Sequence, residues 1–219
     1  MEYLEELTSR YPVLEAVKGD VLAAYEILRD CYAGGGKVMI AGNGGSCADS
    51  EHIVGELMKG FVKRRPVSGE FAAALKEADE KRGGELASCL QGGLPAIALT
   101  GHAGLSTAFL NDVNGEMIYA QQLYGYGKKG DVFIGISTSG NSANVIGALQ
   151  AARKQSLFTI GLTGDGGGRM APLCDILLAV GHPSTPLVQE THAAIGHMLC
   201  ALTDYYLFEN VMAIKPMLD

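Results

Sequence analysis

Asp49, His52 and Glu56 stand three and four residues apart in GNGGSCADSEHIVGE, residues 42–56. On a helix that spacing puts all three on one face, as a polar stripe. An imidazole beside a carboxylate has the chemistry of proton transfer. The same pattern also describes the half-exposed flank of an ordinary helix with a His–Glu pair. The stretch opens with Asn43, Gly44, Gly45 and Ser46, small residues where a strand would turn into a helix. A second such place is STSGNS, where Ser137, Thr138, Ser139 and Ser142 offer four hydroxyls within six residues. TGDGGG, 163–168, is a third. Free backbone N–H groups and the positive end of a helix dipole attract an anion, glycine lets the backbone come close, and hydroxyls add donors.

A lone glycine loop is more often turn chemistry with a cap, here Ser46 or Ser142. GNGGS is no Walker loop, since no Lys-Ser/Thr follows, and no dinucleotide fingerprint, since Cys47 stands where the third glycine belongs. Two loops of this kind at neighbouring ligand-facing positions carry more weight than one. Downstream, His197 interrupts an apolar helical stretch, where a histidine is commonly a satisfied core residue. Gln189 stands eight residues earlier, about 12 Å away along a continuous helix. Spacing alone does not join the two at one ion.

These groups need elements to position them. Residues 2–33 read as helical with a break near Pro12, and AGGGK ends the second helix. KVMIA (37–41), PAIALT (95–100), DVFIGI (131–136), LFTIGL (157–162) and DILLAV (175–180) are short apolar strands. Helical stretches lie at 46–61, 115–126, 142–154 and 187–209, with Met58 and Phe61 expected on the apolar face of the first. Apolar strands alternating with helices predict an α/β chain with a parallel sheet covered on both faces, ligands binding beyond the strand carboxyl ends. Residues 62–93 break the alternation as a charged helical insertion: a surface appendage, or a lid or interface element beside the site.

The bulk numbers bound the function. The 219 residues carry a net charge of -7 and are 47% hydrophobic, which leaves no basic surplus for a nucleic-acid partner. Five scattered cysteines without a CxxC pair predict neither disulfide framework nor cysteine zinc site, and fit a cytoplasmic location. MEYLEELTSR is too acidic and polar for a signal peptide, and no apolar run reaches membrane-spanning length.

GNGGSCADSEH with Glu56, LND at 110–112, GDVFIGISTSGNSANVI at 130–146, LTGDGGG at 162–168 and QETHAAIGH at 189–197 together resemble the sugar isomerase (SIS) domain family. Within it they resemble the phosphoheptose isomerases of bacterial heptose biosynthesis, which make a lipopolysaccharide precursor. The resemblance runs through the whole chain, and its STSGNSANVI segment and spaced Gln–His pair are specific. It implies a single domain over 1–219, with N-terminal helices in 1–35, forming a flavodoxin-like three-layer αβα sandwich around a five-stranded parallel sheet. It implies a homotetramer with sites at subunit interfaces, isomerising sedoheptulose 7-phosphate to D-glycero-D-manno-heptose 7-phosphate through an enediol. By position, Ser137, Thr138, Ser139 and Ser142 would hold the phosphate. Asn43, Gly44, Gly45, Ser46, Asn111, Asp112 and Gln189 would contact the substrate. Glu56 and His197 would be the acid–base pair, and His52, Glu56, Gln189 and His197 the ligands of one zinc ion per subunit.

The chain departs from the family pattern at Pro186 and Leu187, where an acidic or alanine residue and an arginine usually precede Gln-Glu. Gly60 stands where an arginine commonly follows the catalytic glutamate; Lys59, Lys63, Arg64 or Arg65 could supply that charge. These departures bear on the identity of the sugar. The other readings are an isomerase of a different phosphosugar, a non-catalytic SIS protein binding a sugar phosphate or a protein, and a sugar-sensing module coupled to DNA binding. Presence of the histidine–glutamate set counts against the second, and absence of a basic region against the third.

Overall fold

The computed structural model describes residues 2–209; of the 1–219 span, Met1 and 210–219 lie outside the described residues. Helices α1 (Glu2–Arg10) and α2 (Lys18–Ala33) flank a 3-10 turn at Pro12–Val17, so Pro12 does break the first helical stretch. The chain then alternates through β1 (Val38–Gly42), α3 (Gly45–Leu57), α4 (Gly69–Ala78), α5 (Glu80–Cys89), β2 (Ala96–Ala98), α6 (Ala103–Asp112) and α7 (Ile118–Tyr126). It continues with β3 (Val132–Ser137), α8 (Ala143–Lys154), β4 (Phe158–Thr163), β5 (Ile176–Ala179) and α9 (Thr185–Glu209).

The five strands form one parallel sheet in the order β2-β1-β3-β4-β5. Alternate side chains feed opposite layers. Val38, Ile40, Val132, Ile134 and Ile136 pack with α2, α3 and α9, whereas Met39, Ala41 and Phe133 pack with α7 and α8. The order turns back between β1 and β3, whose ends are aligned with Gly42 opposite Ile136. A parallel sheet opens its ligand crevice at such a reversal, beyond the strand carboxyl ends. The GNGGS and STSGNS loops leave from those two ends.

Helix α3 stops at Leu57, earlier than the stretch to 61 expected from the sequence, leaving Met58 half exposed and Phe61 beyond the helix. The reason lies in its last carbonyls. Leu57 O accepts from Arg65 Nη1 (2.7 Å) and from Leu94 N (3.0 Å), so another helical turn is not needed to satisfy it. Arg65 is in turn fixed by Asp204 of α9. The insertion folds as the α4–α5 hairpin, with Ser68 and Asp79 as N-caps. The two helices cross closely at Gly83, where a Cβ would overlap the Leu75 carbonyl.

Candidate active site

The α3 stripe and α9 meet at Glu56. Its Oε1 lies 2.9 Å from His52 Nε2 and 2.9 Å from His197 Nδ1, with Oε2 3.2 Å from the same His197 nitrogen. The imidazoles meet edge to face at 5.0 Å, and Phe61 stacks on His197 at 5.8 Å. The carboxylate is nearly covered while both rings are open: side-chain exposures are 10% for Glu56, 59% for His52 and 41% for His197. A buried base with solvent-reachable imidazoles is an arrangement for proton transfer to a bound molecule. Asp49 shares the stripe but not the cluster. One of its oxygens is buried without a hydrogen-bond partner among the described residues, and burial pushes its carboxyl upward against the opposing pull of His52.

One ligand atom from each of His52, Glu56 and His197 lies within 4.8 Å of the others. Two imidazoles and a carboxylate are a donor set that zinc uses in catalytic sites, so the residues fit the metal implied by the family. Gln189 is placed differently. Its amide lies against Gly45 at the start of α3, so closely that a Cβ there would sit 2.6 Å from Nε2.

The crevice between β1 and β3 is framed by hydrogen bonds. Asn43 and Asn144 exchange two amide bonds of 2.9 Å, tying the first loop to the start of α8. The Tyr119 hydroxyl donates to Gly42 O at 2.7 Å, and burial pushes its phenol up to about 12, so it stays a donor. Gly44 caps α3 with φ +58, a conformation that favours glycine. Ser46 therefore lies inside the first turn, buried, and is not the cap. Ser142 does stand at the N-cap of α8, but its hydroxyl pairs with Ser137 Oγ at 2.9 Å instead of a backbone N–H. Gly140, at φ +64, passes so close to the Gly167 carbonyl that no side chain fits. Thr138 O accepts from Gly164 N at 2.9 Å, and Ser139 Oγ from Asn141 N at 3.2 Å. The result is a hydroxyl-rich turn at a helix N-terminus, held by the TGDGGG loop.

Asn111 and Asp112 are the last two residues of α6. They are exposed at the end of α6, where the Asn111 amide bonds Asp112 at 2.7 Å. Sequence reasoning missed several residues. Asn144 lies within STSGNSANVI, where nothing in the sequence singles it out, and Tyr119 carries no motif. His192 proves to be the core histidine of α9: fully buried, with Nε2 3.1 Å from Thr163 O, and held below its usual range by that burial. Five residues separate it from His197, about 140° around the helix, so the two cannot share a face.

Comparison with known proteins identifies the family. Residues 72–164 match the family described as SIS domain. The chain is 46% identical over 188 residues to a phosphoheptose isomerase of Desulfovibrio desulfuricans, covering 86% of this chain and 77% of that one. It is 39% identical over 204 residues to one from Aneurinibacillus thermoaerophilus, covering 89% and 90%. The structure of phosphoheptose isomerase from Neisseria gonorrhoeae superposes with a TM-score of 0.72 at 32% identity, covering 93% of this chain and 95% of that one.

Proposed function

The chain belongs to the phosphoheptose isomerases of the SIS domain family, and we propose that it interconverts sedoheptulose 7-phosphate and D-glycero-D-manno-heptose 7-phosphate through an enediol. The observation that carries this reading is the carboxylate of Glu56 held between His52 and His197. Isomerisation moves one proton from C1 to C2 and one from O1 to O2. A carboxylate can take the first and return it to the neighbouring carbon, and an imidazole can relay the second. In this reading Glu56 is the base and His197 the acid–base group at the oxygens. Oε1 meets both ring nitrogens whereas Oε2 meets only His197 Nδ1, at 3.2 Å, so Oε2 is the less engaged oxygen for a carbon-bound proton.

Ser137, Thr138, Ser139 and Ser142 would hold the phosphate at the N-terminus of α8. Asn43, Gly44, Gly45, Ser46 and Gln189 would line the sugar from the β1 side. One zinc ion per subunit would be held by His52, Glu56 and His197, with Gln189 reaching it only by leaving Gly45. When bound, zinc would polarise the carbonyl and stabilise the enediolate.

The reading takes the chain as one SIS domain working in the cytoplasm, supported by five free thiols, which suit a reducing compartment. Among the described residues no helix is long and apolar enough to cross a membrane. It also takes the protein as a homotetramer, because α6, with Asn111 and Asp112, buries no residue within this chain.

The test is turnover of sedoheptulose 7-phosphate by the purified protein, alone, with zinc and with chelator, beside Glu56→Gln and His197→Ala. Conversion by the parent and loss in both variants is the expected result. A folded protein that binds the sugar phosphate without converting it would overturn the reading.

A further inference from the structure

A pair of side chains joins the two loops of the crevice. Asn43 of the GNGGS loop and Asn144 exchange two amide hydrogen bonds of 2.9 Å each. Asn144 stands in the first turn of α8, two residues past Ser142.

An asparagine amide carries two N–H donors on its nitrogen and two lone pairs on its oxygen. Which end faces which way is decided by its partners. One partner here has no choice. The backbone N–H of Val145 can only donate, and it meets Asn144 Oδ1 at 3.0 Å. Asn144 is thereby fixed with its oxygen toward the α8 backbone. The reciprocal pair then fixes Asn43, whose Nδ2 donates to Asn144 Oδ1 and whose Oδ1 accepts from Asn144 Nδ2. A flipped Asn43 would set oxygen against oxygen and nitrogen against nitrogen. Tyr119 adds to the bias. Its buried hydroxyl donates to Gly42 O at 2.7 Å and reaches Asn43 Oδ1 at 3.3 Å, as the longer arm of the same proton. The backbone beneath is held as well, since Ser46 N donates to Asn43 O at 3.1 Å and a Cβ at Gly42 would overlap Ser46. Asn43 itself is exposed, and the second N–H of its amide has no partner among the described residues.

We propose that Asn144 and Tyr119 are positioning residues of this site: they hold the Asn43 amide so that it offers the sugar a donor and not an acceptor. The inference rests on the isomerase reading in taking Asn43 as a sugar contact. The ligand atom that Asn43 meets is then an oxygen with a free lone pair, a hydroxyl, carbonyl or enediolate oxygen of the phosphosugar. Because Asn144 follows Ser142 so closely, the helix turn assigned to the phosphate also sets the group assigned to the sugar.

The test is a double-mutant cycle through Asn43, read as the Kd of sedoheptulose 7-phosphate by titration calorimetry on the full chain. Binding needs no turnover, so a parent that binds without converting would overturn the isomerase reading and leave the cycle to be read. Asn144→Ala should weaken binding about three- to tenfold, the weight of one neutral hydrogen bond. In an Asn43→Ala background the same change should alter Kd less than about twofold, because it acts only through Asn43. Tyr119→Phe keeps the ring and should show the same dependence on Asn43, with a smaller effect. Inorganic phosphate, which has no sugar for Asn43 to meet, should bind Asn144→Ala as it binds the parent. An equal loss in both backgrounds would overturn the proposal, since it would mark a general loosening of α8. So would an equal loss for inorganic phosphate, or a Kd that Asn144→Ala leaves unchanged.

Discussion

A single carboxylate oxygen, Glu56 Oε1, stands 2.9 Å from nitrogens of two imidazoles, so the three side chains act as a unit. Glu56→Gln keeps the shape but removes the basic oxygen pair, and kcat should fall by about 10²–10⁴-fold, the usual weight of a positioned acid–base group. Far-UV circular dichroism would show whether the variant is folded. His52→Ala leaves Glu56 and His197 in place, so its loss should appear first in affinity for added zinc, measured by titration calorimetry beside activity. His192 has a separate consequence. Burial lowers its pKa below the usual 6.5, so as pH falls through 6.5 the unfolded chain takes up a proton that the folded one refuses. Stability should therefore decline below about pH 6.5, and the decline should be shallower in His192→Gln. Denaturant unfolding between pH 5 and 7.5 measures it.

The elements that hold these residues are fixed by contacts distant in sequence. Asp204 on α9 grips the 62–65 turn through three hydrogen bonds and so ends α3 where Glu56 needs it. Asp204→Ala would leave Arg65 buried without a counter-charge and should cost about 3–5 kcal/mol in urea unfolding. Replacing the pair together by apolar residues of similar volume should cost less than the sum of the single changes. At the other end of the crevice, Gly140 combines a left-handed backbone with close approach to the Gly167 carbonyl. Gly140→Ala should raise KM for the sugar phosphate, because the hydroxyl turn must open to admit a methyl group.

For the whole molecule, surface composition is the informative quantity. Leu110, Val113, Met117 and Tyr124 are exposed on and after α6, and Leu110 is 69% exposed. Exposed apolar side chains of this kind suit a subunit interface. Light scattering should give a mass of four chains, and Leu110→Glu should shift it downward. Because Asn111 and Asp112 end the same helix, turnover should fall with assembly. A monomer with full activity would remove both the tetramer and the role of those two residues.

Local pattern was enough to read the alternation of strands and helices, the three glycine- and hydroxyl-bearing loops, and the polar stripe of Asp49, His52 and Glu56. Those features depend on side-chain period and turn chemistry, which act over a few residues. Their family resemblance then named the reaction. Local pattern could not decide where α3 ends, because the groups that satisfy Leu57 O come from Arg65 and Leu94. Nor could it tell which histidine of α9 belongs to the core. Tertiary structure put His192 under β4 and brought His197 to Glu56 across 141 residues of sequence. The reversal of strand order that joins the two loops was likewise settled only by packing, since strand pairing depends on which buried faces meet and not on any one segment.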